Sequence, residues 1–181
     1  LDVAPPPIPI IPYSTSRRMY THDPPGPNEN ILIVDSAADI SCVGQSFTVL
    51  FHSGEKTVLN TALAKSPSNM FDIVSAAAVV EDPTTSKTII IIINQAVYIP
   101  DLEQHESLLH TDQARAHNVY INDIAKCFHD AEGRPGRQDI EVEGCIVPLK
   151  HDGRKYFINI RAPKKEDWDI CQVVELTSPE P

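Results

Sequence analysis

Glycine is scarce in this chain, with 7 in 181 residues beside 16 prolines, where ordinary proteins carry about 7% glycine and 5% proline. The scattered glycines leave no phosphate-cradling loop, and Gly133-Arg134-Pro135-Gly136-Arg137 reads as a surface loop. Positive charge is also short: 15 Lys and Arg against 25 Asp and Glu give a net charge of −10. Nucleic acid and anionic membranes need clustered Lys and Arg, so pairs such as Arg17-Arg18 and Lys164-Lys165 are too sparse to make either a partner. Long apolar runs are missing. The best candidates, residues 73–80 with Ser75 among them and the five isoleucines 89–93, fall far short of the ~20 residues of a membrane span. The four cysteines are irregularly spaced, no signal-peptide pattern is present and no Asn-x-Ser/Thr sequon occurs, so a reduced intracellular compartment is expected. Cys127-Phe128-His129 and the pair His105 and His110 lack the paired spacing of a zinc site, and neither a metal nor another cofactor is expected. The first residue is Leu1, which suggests an internal piece of a longer or processed chain.

What is present divides the chain in two. Pro5, Pro6, Pro7, Pro9, Pro12, Pro24, Pro25 and Pro27 forbid a helix, so residues 1–30 are expected to form an extended arm. From Ile31 the composition becomes globular, and with 41% apolar residues overall the chain can bury one core, expected over residues 31–178 with a frayed tail at 179–181. β-Branched runs predict strands at 31–34, 47–51, 57–59, 73–80, 88–93 with 96–99, 119–121, 145–149, 156–160 and 170–176. Five consecutive isoleucines cannot alternate, so their strand should be buried on both faces. One short helix is expected over residues 107–117, starting near His110 or Thr111 and stopped by Asn118. Trp168, the single tryptophan, is expected to anchor the C-terminal segment. The fold class is therefore mostly β.

The informative segment is Ile31-Leu32-Ile33-Val34-Asp35-Ser36-Ala37-Ala38-Asp39. An apolar strand running into an acid, a hydroxyl and small residues delivers a carboxylate to a tight turn. Aspartic proteases pair two such carboxylates around one proton and a water, because like charges about 3 Å apart cannot both ionise. The chain holds one such turn, since Asp101, Asp112, Asp123 and Asp152 lack the hydroxyl neighbour, so a protease would need two copies related by a two-fold axis. Asp39 lies four residues on and reads as a solvated or turn-bonded acid. No Cys-His pair is arranged as a thiol nucleophile, and Cys42 reads as buried packing.

Asp35-Ser36-Ala37-Ala38 resembles the Asp-Ser-Gly-Ala of the protease region of copia-type retrotransposon polyproteins, with Ala37 in place of glycine. Val97-Tyr98-Ile99-Pro100-Asp101-Leu102 and Ser107-Leu108-Leu109-His110-Thr111-Asp112-Gln113 are similar to the strand, turn and Leu-Leu segment that follow in that family. The likeness is fuller for copia-like elements of diatoms and related microbial eukaryotes, whose Asp-Ser-x-Ala-Asp-Thr-x-x-x-Gly resembles the stretch from Asp35 to Gly44. Ile73-Val74-Ser75-Ala76-Ala77, Asn94-Gln95-Ala96-Val97-Tyr98 and Val174-Glu175-Leu176-Thr177-Ser178 also have counterparts there. The resemblance implies a retropepsin-like acid protease fold, a homodimer or higher assembly, and a polypeptide substrate, the element's own polyprotein. It implies Asp35 as catalytic acid and base, Ser36 as a brace between two active-site turns, and Ala37 and Ala38 along the path of substrate backbone. Leu108 and Leu109 would support the turn, and the region 51–71 would form a flap. The location would be the cytoplasm or particles assembled by the element. A second function stays open, in which the same fold serves as a catalytically inactive assembly or binding module.

Overall fold

A computed structural model describes residues 25–26, 29–59, 70–81, 87–100, 102, 106–123, 138–178 and 180. Nearly all of the proline-rich arm, residues 82–86, Cys127-Phe128-His129, the expected loop at 133–137 and His105 lie outside the described residues.

The chain opens with β1 (Ile31–Asp35), β2 (Cys42–Val43), β3 (Thr48–Val58), β4 (Met70–Glu81) and β5 (Thr88–Tyr98). It continues through β6 (Glu106–His110), α1 (Thr111–Ala116), β7 (Tyr120–Asn122), β8 (Asp139–Val142) and β9 (Cys145–Pro148). Last come β10 (Lys150–His151), β11 (Tyr156–Arg161), α2 (Lys165–Ile170) and β12 (Gln172–Glu175). The chain is mostly β, as composition predicts.

The main sheet has the order β10-β11-β1-β6-β2-β5-β4-β3, with β12 beside β5. A further pairing of Ile160 with Val80 and Arg161 with Val79 brings β11 against β4. It closes β11-β1-β6-β2-β5-β4 into a 6-strand barrel. Alternation fills the barrel: Leu32 and Val34 of β1, Ile158 and Ile160 of β11, and Ile89, Ile91 and Ile93 of β5 join one core. Their odd-and-even neighbours face outward into smaller clusters, Ile31 and Ile33 with Phe157, and Ile90 with Ala77 and Val79, against which Ile92 and Cys171 pack. The isoleucine strand is thus covered on both faces, as its lack of alternation requires. Each fully buried Leu or Ile contributes about 1.5–3 kcal/mol. A separate sheet, β7-β8-β9, adds Ile121, Ile140, Val142 and Val147 to the barrel's own core.

The strands expected at 47–51 and 57–59 form one, β3, kept continuous by an irregularity between His52 and Lys56. Gly54 takes φ +83° there, and the Ser53 hydroxyl donates to the Ile73 carbonyl at 3.0 Å and accepts the Glu55 N–H at 3.1 Å, standing in for ladder bonds.

Two helical expectations need correction. Residues 107–110 are strand, not helix: Ser107 and Leu109 are buried, and β6 pairs with β1 on one side and β2 on the other, so two ladders outweigh a 3.6-residue pattern. The helix starts only at Thr111, and Asn118 ends it at φ +63°, with the Val119 N–H returning to the Ala114 carbonyl at 3.1 Å. There is also a second short helix, α2, where none was expected. Trp168 on it is exposed and is not the anchor. The anchor is Asp167, whose buried carboxylate takes both Arg161 guanidinium N–H groups at 2.6 and 2.8 Å and the Lys164 backbone N–H at 2.6 Å. β8 went unanticipated as well, because its Asp-Ile-Glu-Val sequence alternates correctly but places acids where strands disfavour them.

Arg161 and the Lys164 N–H hold the Asp167 carboxyl well below the usual carboxylate range. A folded-state pKa below the unfolded value, about 3.9, gives stability that is complete above that value and is lost as pH falls toward the folded one. Asp167→Asn is expected to lower Tm at pH 7 and to flatten the fall of Tm below about pH 5, read by thermal melts across pH.

Candidate functional site

Four buried residues of β1 carry the chain to Asp35, which is half-buried at the strand's end. The turn that follows is tied to the acid itself, for the Ala37 N–H donates to Asp35 Oδ1 at 2.8 Å. An Asp bonded to the backbone two residues on is an Asx turn, and it fixes the direction of the carboxylate. Ser36, Ala37 and Asp39 are exposed, and Ala38 is half-buried. Among the described non-glycine residues the left-handed φ values belong to Gln95, Asn118 and Glu143. Ala37 therefore holds its turn without backbone strain, and what its side chain adds is bulk at the surface of the turn.

β6 runs parallel to β1 and pairs Ile33 with Leu108, Val34 with Leu109 and Asp35 with His110. Leu109 is fully buried in the barrel core, and Leu108 packs on the opposite face against Ile31, Ile33 and Phe157. The two leucines thus flank the strand that ends in Asp35, from a neighbouring strand and not from a helix. Beyond the turn, the Ser41 carbonyl accepts the Val97 N–H at 2.9 Å, and the Ser41 hydroxyl accepts the His110 N–H at 3.1 Å. Gly44 approaches the chain ahead of β6 so closely that a Cβ there would lie 3.3 Å from Leu102 Cβ. Its N–H is held by the Ser107 hydroxyl at 3.2 Å.

An open groove of about 680 Å³ is lined by Ile40, Phe51, Ser53, Glu55, Ile73, Gln95 and Glu180. Ile40 belongs to the chain leaving the Asp35 turn, the expected flap region borders the groove through Phe51, Ser53 and Glu55 of β3, and Ile73 of β4 lies beside them. The flap's middle, residues 60–69, lies outside the described residues. Gln95 enters the groove from a register shift in the β4–β5 ladder, at φ +56°. A second hollow of about 600 Å³, between β5, β9 and the α2–β12 junction, has no carboxylate among its described lining residues.

Burial pushes the Cys42 thiol up to about 11, so it stays protonated and is no nucleophile. On the outer hairpin, Lys56 at 2.8 Å holds the Asp72 carboxyl below its ordinary value, and His52 adds to it from 3.7 Å. Among the described residues no three His, Cys, Asp or Glu side chains gather as metal ligands. No helix among them is long and apolar enough to cross a membrane. Ser41, Gln113 and Asn94, which hold the turn's surroundings, were not singled out from sequence as site residues; the one signal was Asn94, a polar residue inside the otherwise apolar β5. No family model matches this chain, and no match was found among curated proteins or solved structures.

Leu109→Ala is expected to cost about 2–5 kcal/mol in denaturant melts, because the cavity opens beside Val34 in a closed barrel. At pH 8 native Cys42 should be alkylated by iodoacetamide about a hundredfold slower than an unperturbed thiol, with peptide mass spectrometry showing normal modification once the chain is unfolded.

Proposed function

We propose that this chain is an aspartic endopeptidase of the retropepsin type, from the protease region of a copia-type polyprotein, acting as a homodimer on extended polypeptide. The observation that supports it most is the Asp35 turn: a carboxylate at the end of a buried strand, aimed by the Ala37 N–H, with an exposed Ser36 beside it. In the dimer two Asp35 carboxylates share one proton and hold a water between them. The ionised carboxylate takes a proton from the water as its oxygen attacks the scissile carbonyl carbon, and the protonated one gives its proton to the carbonyl oxygen. In collapse the acid that took the water's proton gives it to the departing nitrogen, the other carboxylate takes a hydroxyl proton from the tetrahedral diol as C=O re-forms and the C–N bond breaks, and the pair is again singly protonated. Ser36 has its hydroxyl free to brace the partner turn, and Ile40, Phe51 and Ile73 offer apolar walls for the side chains of an extended peptide.

A second reading, a catalytically inactive assembly or binding module of the same fold, is favoured by one residue. Ala37 puts a methyl group at the exposed surface of the turn, where substrate backbone has to come close.

Incubating the full chain with an extended-peptide library at mildly acid pH, with and without pepstatin, tests both. Inhibitable cleavage is expected, reduced by about 10²–10⁴-fold or more in Asp35→Asn, with a dimer in sedimentation. Normal cleavage by Asp35→Asn overturns the mechanism. Ala37→Gly is expected to raise kcat/KM by up to about tenfold, the crowding of one methyl group. No cleavage by either the native chain or Ala37→Gly selects the inactive module.

A further inference from the structure

A continuous line of side-chain hydrogen bonds joins the Asp35 turn to the C-terminal strand. It starts at His110, to which both ends of the turn are fastened: Asp35 by strand register and Ser41 by its hydroxyl, which accepts the His110 N–H at 3.1 Å. The Ser41 hydroxyl has one proton, and it goes to Gln113 Oε1 at 2.8 Å, which also takes the Ser41 N–H at 3.2 Å. The other end of that amide, Gln113 Nε2, donates to the carbonyls of Asn94 at 3.4 Å and Gln95 at 3.3 Å. Both ends of the amide are therefore engaged, and the acceptor oxygen is directed at Ser41.

The Asn94 carbonyl is itself fixed. It accepts the Thr177 hydroxyl at 2.8 Å, and the Asn94 N–H donates to that same hydroxyl oxygen at 2.9 Å. One threonine hydroxyl thus replaces a pair of ladder bonds just where the β12–β5 register, last seen at Glu175 and Ile92, gives way to the shift around Gln95. The Leu176 N–H, bonded to the Ile92 carbonyl at 2.8 Å, brings Thr177 into place. Thr177 has no exposed surface and Asn94 is buried, so water does not compete for the bonds between them, whereas the Gln113 bonds to Ser41 and Asn94 are partly buried and the one to Gln95 is exposed.

We infer that Gln113 and Thr177 are positioning residues for the Asp35 turn, and that the segment after β12 is a clasp whose engagement sets the turn's geometry. A satisfied core network with no bearing on the turn would end on groups far from it. This one ends on the residue paired with Asp35. The inference concerns the turn and holds for either function proposed above, because no step of it uses proteolysis.

The test uses amide exchange and the NMR signal of the Ala37 N–H, which reports its bond to the Asp35 carboxylate, in the full chain. Thr177→Val removes the hydroxyl at nearly constant shape, Thr177→Ser keeps it, and Val142→Ala, in the separate β7-β8-β9 sheet, supplies a destabilised control. Thr177→Val is expected to speed exchange at Ser41 and His110 at least tenfold beyond the control and to shift the Ala37 signal, and Thr177→Ser to restore both. Equal loss of protection in Thr177→Val and Val142→Ala, or failure of Thr177→Ser to rescue, overturns the inference. Should Thr177→Val not fold, Gln113→Met carries the same expectation at Ser41 and the same refutation. Cleavage is not measured here, so this result and the protease assay stand or fall separately.

Discussion

Five successive isoleucines impose the governing constraint, since a strand that is apolar on both faces has to be covered on both. Barrel closure covers one face, with Ile89, Ile91 and Ile93 inside, and the α2–β12 junction contributes Cys171 to the other. That covering brings the C-terminal residues along β5, and Asp167 clamped to Arg161 keeps α2 from drifting off the sheet. The placement of Thr177 beside Asn94 follows from a need that is hydrophobic in origin.

The Asp35 turn depends on the same frame. Its strand lies between β11 and β6 in the closed ring, so its residues cannot slide without moving their inner side chains off the core. A loop projected from such a strand inherits the rigidity of the barrel while leaving its own tip open to solvent, as catalytic and binding loops generally require. Burial of Val34 and exposure of Ser36, two residues apart, show how short that transition is.

Much of the local structure was readable from the sequence. The β character, the doubly buried isoleucine strand, the Asp35 turn and the Asn118 stop each follow from a few neighbouring residues. What escaped is what depends on distant partners. The segment Ser107-Leu108-Leu109-His110 carries a pattern open to helix or strand, and pairing with β1 and β2 decides it. Trp168 looked like an anchor because of its size, but two charged hydrogen bonds from Arg161 made its neighbour Asp167 the one that holds. Gln113 fell within the expected helix with no role assigned to it, and its part appears only when Ser41 and Asn94 are brought to either end of its amide.

The parallel pairing of β1 with β6 also orders events in time. Ile33 and Leu108 are 108 − 33 = 75 residues apart in sequence, whereas β3, β4 and β5 are antiparallel neighbours in succession. Loop closure favours the meander first and the distant parallel contact later. During synthesis, the strand bearing Asp35 emerges before its partner exists, and Thr177 emerges later still. The Asx turn at Asp35 can thus form on the nascent chain from neighbouring residues alone, while its β6 pairing and the Thr177 contacts form only after those later residues are available to fold.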